Sequence, residues 1–272
     1  ERLFTPDANL PAQGPGQLVI RDARDGAWQR LPIARYHVNV VLHAPVALVR
    51  IDQTFYNPYF TQPEGVFLFN LPPDASLSRF AMYATPTELI EGELVDRGRV
   101  PDVCDSLVRS ERDPVAGSVG ANVFRIRVFP VPGRDVKRIL IDYTVPLEPG
   151  PDGLCRFSLP LVNALEPISE LKIAGRVFGP VPRESIASPS HGDLKLGELI
   201  PASQAAKDAG NSREPSELFG GASIPFEVVR RDCQSSEPFS LEFRHAPEGS
   251  VAVQCYRAKG LVEDWRRNLR PT

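Results

Sequence analysis

"RIDQTFYNPYFTQPEGVFLFNLPPDASLSRFAM", residues 50–82, decides the fold. At its start Ile51, Gln53 and Phe55 alternate with Arg50, Asp52 and Thr54. A period of two is the signature of a strand with one buried face. Residues 66–69 form a short apolar run, and Pro58, Pro63 and Gly65 separate the two pieces. Prolines and glycine at those places mark a corner between strands.

Working outward, Tyr36, Val38, Val40 and Leu42 also alternate, and His43-Ala44-Pro45 turns the chain into the next strand. The pair predicts a hairpin buried on one side. Further strands are expected over residues 80–84, 89–95, 123–129 and 138–145. Arg125 and Arg127 there oppose Phe124, Ile126 and Val128, the half-wet pattern of an antiparallel sheet. Ahead of the first hairpin, Leu18-Val19-Ile20 reads as a strand, and a turn at Asp25-Gly26 leads back toward Trp28. In residues 98–114, Val103, Leu107 and Val108 fall at helical spacing. A short helix is expected there, with Pro101 in its first turn and Asp102 or Asp105 as its cap.

"PLEPGPDGL" at residues 146–154 is dense in Pro and Gly and marks a boundary. Beyond it, strands are expected over residues 157–161, 171–178, 224–230, 239–243 and 251–256, as a small second sandwich or an extension of the first sheet. A long polar stretch, residues 188–223, interrupts them and is expected to be held in place by something outside itself. The chain then ends in Leu261, Val262, Trp265 and Leu269 on one helical face, with Arg266, Arg267 and Arg270 at its end. The organisation expected is therefore an N-terminal extension (1–35), a β domain (36–148), a second β segment or sandwich (149–259) and a short C-terminal helix (260–272). The fold class expected is all-β, mainly an antiparallel sandwich, with one or two short helices.

Composition agrees. Among 272 residues, 28 are Pro and 20 are Gly, which disfavours long helices. With 31 basic and 34 acidic residues the net charge is −3, so no basic field exists to neutralise a nucleic-acid backbone. No run reaches the roughly 20 apolar residues of a membrane helix. The first residue is Glu and no charged-then-apolar leader follows, which decides nothing about an export signal or anchor. Cys104, Cys155, Cys233 and Cys255 have no CxxC spacing and no adjacent His, which argues against zinc. A Cys233–Cys255 bridge and buried free thiols are both compatible with the sequence.

Three arrangements invite a chemical reading. Asp74-Ala75-Ser76-Leu77-Ser78 fits the spacing that helps hold Mg²⁺ in von Willebrand factor A domains. There it follows a buried parallel strand; here it follows Leu71-Pro72-Pro73, so a turn is expected instead. His37 and His43 share a strand parity but would stand roughly 20 Å apart, too far for one ion. Ser190-His191-Gly192-Asp193 contains the residue types of a hydrolytic triad, yet such triads are assembled from distant segments. No phosphate-binding, dinucleotide or HExxH motif is present. No catalytic residue, cofactor or metal is expected.

Residues 36–147 resemble the VIT domain, named for vault protein and inter-alpha-trypsin inhibitor heavy chains. Val49-Arg50-Ile51 with Gln53, Phe55, Asn57 and Pro58 looks like its early strand, and Gly65, Phe67, Leu71 and Pro72 like the segment after it. Phe80-Ala81-Met82, Glu91 to Val95, Arg112-Asp113-Pro114, Asn122-Val123-Phe124, Phe129-Pro130 and Tyr143-x-x-Pro146-Leu147 follow in the family's order. Gly98, Pro101 and Cys104 stand where the family carries an alanine- and tyrosine-bearing helix. Family members typically continue into a von Willebrand A domain, and no such α/β pattern is read before Thr272. The resemblance implies a β-sandwich module for protein interaction, commonly outside the cytoplasm, without catalytic residues.

The expectation is a non-enzymatic, extracytoplasmic (periplasmic or secreted) accessory or scaffolding subunit of a larger, membrane-associated assembly. Its partners would be other proteins, met through residues 188–223, the N-terminal arm and the helix of Trp265, Arg266 and Leu269. Two readings stay beside it: the N-terminal part of a surface adhesin, and an enzyme whose site is gathered from distant residues.

Overall fold

The computed structural model describes residues 14–21, 26–85, 87–92, 109–111, 122–161, 167–202 and 221–245. The hairpin read from alternation is its spine. β3 (Ile33–His43) and β4 (Val46–Tyr56) pair antiparallel across the Ala44–Pro45 turn. Tyr36, Val38, Val40 and Leu42 are buried, whereas Arg35, His37 and Asn39 face outward to varying degrees. β10 (Val136–Pro146) pairs with β4 along its whole length; β6 (Ser76–Tyr83) and β7 (Leu89–Glu91) follow. On its other side β3 runs parallel to β12 (Ile168–Phe178), and β14 (Ser223–Cys233) and β13 (Lys195–Leu196) come next. Among the described residues this sheet has eight strands.

Two smaller sheets supply the facing layer. One has the order β2 (Trp28–Arg30), β1 (Gln17–Arg21), β5 (Gly65–Leu71), β9 (Asn122–Val128), β8 (Arg109–Glu111). The other pairs β11 (Leu154–Leu159) with β15 (Phe239–Arg244). Aromatic rings join the layers: Phe55 stands edge-on to Phe67 at 5.9 Å, Phe69 lies 6.1 Å from Tyr143, and Phe226 stacks on Phe239 at 6.4 Å. Such contacts add to the area they bury. One hydrophobic cluster runs through all three sheets.

The all-β sandwich is therefore present. The second half of the chain extends the first sheet through the parallel β3–β12 ladder, and residues 14–35 contribute β1, β2 and the start of β3. Two glycines make that N-terminal contact close. A Cβ at Gly65 would meet Leu18 at 3.0 Å and the Val19 carbonyl at 3.2 Å; one at Gly16, where φ is +95°, would meet the Phe67 ring at 2.9 Å. In the stretch read as a short helix, Arg109–Glu111 is strand β8. Val103, Leu107 and Val108 lie outside the described residues. So do the strand expected at 251–256 and the helix at 260–272.

Residues 188–202, expected to need an outside support, are held by the chain itself. Ser188 Oγ donates to the Ser240 carbonyl at 2.6 Å, Gly197 N to Pro225 O at 2.8 Å, and Ile200 exchanges two backbone bonds with Ser223. Residues 203–220 lie outside the described residues. Asp74 occupies a left-handed turn (φ 62°), Ala75 N donates to Pro72 O at 3.1 Å, and Ser78 Oγ donates to the Asp142 carbonyl. That is a corner between β5 and β6.

Candidate interaction surface

At the opposite end of the sandwich from that corner, the loop after β4 meets the loop before β10. Asn57 joins them and is fully buried. Its Nδ2 donates to the carbonyls of Thr61 (3.2 Å) and Pro132 (3.1 Å), while its Oδ1 accepts from Tyr59 N (3.0 Å). Asn57 N donates to Asp135 O and Arg134 N to Tyr59 O. An amide is the side chain that can serve two acceptors and one donor at once. Gly133 completes the join, because a Cβ there would sit 2.5 Å from the Phe60 carbonyl. The Tyr59 hydroxyl also bonds Gln29 of β2.

These fixed loops present apolar groups to solvent. Phe60 is 86% exposed, Phe129 60% and Val136 46%. The Arg134 guanidinium lies 4.7 Å from the Phe60 ring centroid, a cation–π contact. Aromatic rings exposed on a bonded corner make it a candidate contact surface. Phe60 and Val136 were not singled out from sequence. A phenylalanine among turn formers, Pro58-Tyr59-Phe60-Thr61-Gln62-Pro63, was the available signal.

The motif residues belong to the framework of the sandwich, some of them at its opposite corner. Gln53 is buried and its Nε2 donates to the Gly16 carbonyl at 3.2 Å, tying β4 to the N-terminal segment. Phe55, Phe67, Leu71 and Tyr143 are core. Pro72 accepts in the β5–β6 turn, Asn122 pairs with Leu71 in the ladder, Phe124 packs against the core, and Pro130 follows a cis bond. Pro58 offers its carbonyl to Arg134. Trp265, Arg266 and Leu269 lie outside the described residues.

The Ser190–His191–Asp193 run has a different geometry from a triad. His191 Nδ1 is 2.8 Å from Ser190 Oγ, but Asp193 gives both oxygens to Arg230 at 2.6 and 2.8 Å. Ser190 Oγ also accepts from Ser240 N, so the cluster pins this loop to β15. His191 is 1% exposed and edge-on to Phe239. Burial, and then the Arg230 charge, push its pKa below the ordinary 6.5, against the weaker pull of Asp193 and Glu237. The native ring therefore resists protonation. Below about pH 6.5 the unfolded chain binds more protons, so stability falls as the pH drops through that range. His43 shifts the same way, mainly through burial. His191→Asn keeps a polar atom near the Nδ1 position and is expected to lose less stability than wild type between pH 7.5 and 5, read from urea midpoints. An unchanged difference would contradict the assignment.

Cys155 is a buried free thiol and Cys233 a half-buried one. Among the described residues no group of three or more His, Cys, Asp or Glu side chains is placed to hold a metal. Nor is any helix among them long and apolar enough to cross a membrane.

No curated protein matches this sequence. Among solved structures, a candidate nutrient-binding protein of Legionella pneumophila aligns at 9% identity, covering 86% of this chain and 72% of that one, with a TM-score of 0.44. An M1 zinc metallopeptidase of Deinococcus radiodurans aligns at 11% identity and a TM-score of 0.42, covering 90% of this chain. The chain spans 47% of that peptidase's length. At these scores neither likeness bears on function. The sequence profile of the vault protein inter-alpha-trypsin domain matches residues 33–143, from the first residue of β3 to the buried Tyr143 of β10. Residues 33–143 of this chain are a VIT domain.

Proposed function

We propose that this protein is a non-enzymatic docking subunit, whose VIT domain receives a partner protein on the Phe60, Phe129 and Val136 corner. A VIT domain suggests a protein-interaction module. The observation that carries the finer reading is the pairing of a fully buried, fully bonded Asn57 with a Phe60 that is 86% exposed three residues along the same loop. A rigid corner gives up little entropy when its anchors are covered. The partner would offer an apolar pocket, and the protein would act as an accessory or scaffolding part of a larger, membrane-associated assembly outside the cytoplasm. A buried Cys155 thiol, its pKa raised by burial, suits such a setting because it is a poor target for oxidation.

Phe60→Ser with Phe129→Ser tests this. Both rings are exposed, so folding should be unchanged, while affinity for the natural partner falls by about tenfold to a hundredfold. Co-purification from the source organism with each form of the protein measures it. Equal recovery of the same partner with both forms would refute the assignment of this corner.

A further inference from the structure

The outer face of the eight-stranded sheet is charged, and most of its charges are matched across strands. His37 meets Glu170 at 2.5 Å, Arg50 meets Asp142 at 3.2 Å, Arg138 meets Asp52 at 2.5 Å and Lys172 meets Glu227 at 3.0 Å. One place departs from this pattern. A hollow of about 490 Å³ opens over β12 between β3 and β13. Its floor is low because Ala174, the residue of β12 that faces it, is small.

Two cations line this hollow, Arg176 and Lys195, and neither has a carboxylate partner among the described residues. The one lining carboxylate, Glu227, is taken by Lys172. Asn39 adds an amide, and Leu196 and Pro225 form an apolar wall. Unmatched cations beside an apolar wall favour a carboxylate carried on a hydrocarbon stem, and Arg binds carboxylates in a two-pronged fashion.

The hollow also opens beside a sheet edge. Ser223 and Pro225 direct their backbone groups toward residues 197–200. By the same alternation Val229 and Arg231 direct theirs away from β12, where they have no partner among the described residues. Val229 is 49% exposed. An extended segment can therefore add to β14 there while an acidic side chain enters the hollow, the recognition mode of strand addition.

We propose that this hollow binds an acidic, extended segment of a protein partner, with a carboxylate between Arg176 and Lys195. This deepens the docking reading and rests on it, at a second contact. A nucleic acid fits poorly, because Glu227, Glu170 and Asp52 on the same face would repel a continuous polyanion.

The test is fluorescence anisotropy with labelled hexaglutamate, and with hexaglutamine as control, at low salt. Hexaglutamate should bind and hexaglutamine should not. Arg176→Gln with Lys195→Gln should weaken binding by at least about tenfold, the scale of a lost charge-assisted pair. Ala174→Leu, which fills the hollow without changing charge, should weaken it too. No binding of hexaglutamate, equal binding by the double variant, or indifference to Ala174→Leu would each overturn the proposal, the last by pointing to diffuse surface charge. The Phe60→Ser, Phe129→Ser protein should bind hexaglutamate as wild type does. Failure at the hollow therefore leaves the aromatic corner standing, and failure at the corner shows in partner recovery while peptide binding persists.

Discussion

Replacing Asn57 by Ala lowers the stability of the fold by about 2 kcal/mol, because the buried amide is lost and three part-buried groups lose their partner, each at or below the low end of the roughly 1–3 kcal/mol that a buried unpaired group costs. The groups are the carbonyls of Thr61 and Pro132 and the N–H of Tyr59. A loss of that size is a large fraction of the marginal stability of a domain. Asn57→Asp is the informative control. A carboxylate still accepts from Tyr59 N but cannot donate to the two carbonyls, so this variant should be destabilised as well. Chemical denaturation of both variants measures the effect. A loss below about 1 kcal/mol for Asn57→Ala would mean that water replaces the amide and that the corner is not rigid.

Lys137→Met acts in the opposite direction. Lys137 is 1% exposed, and its Nζ donates to the Tyr83 carbonyl at 2.8 Å. Burial pulls its pKa from 10.5 down to about 8. At about 1.4 kcal/mol per unit, keeping the ammonium charged at pH 7 costs the fold roughly 3 kcal/mol. The sign follows from proton counting. The native amine binds its proton less tightly, so between pH 8 and 10.5 the unfolded chain holds more protons and stability rises with pH. Met fills the space without a charge but leaves the Tyr83 carbonyl unpaired, so a net gain of about 2 kcal/mol at pH 7 is expected. The variant should also lose the rise in stability above pH 8. A less stable variant, or one that keeps the alkaline rise, would contradict the account.

These two residues show how far the sequence could be read. β3, β4, β9 and β10 were legible because each alternates with one face wet, and Lys137 shares the parity of the buried Ile139, Ile141 and Tyr143. The strand was read from residue 138, one position too late to see its buried cation. The motif from Gln53 to Pro58 was legible as a family pattern. That Asn57 holds two loops together was not, since Thr61 is near in sequence but Pro132 is 75 residues away. The parallel β3–β12 ladder was equally hidden: each strand announces its own buried face, and nothing local names its neighbour. For the same reason Arg176 and Lys195, on different strands, were not seen as a pair. The loop at 188–202 looked unsupported because its fasteners are single serine hydroxyls and short backbone bridges, which leave no periodic trace.

The account stands on the aromatic corner being the surface that meets a partner. A photo-crosslinking amino acid placed at Phe60, and for comparison at the exposed Asp74 on the opposite corner, tests this in cells of the source organism. The account predicts one dominant crosslinked protein from position 60 and none of that protein from position 74. The same product from both positions, or none from position 60 with the protein folded, would contradict it.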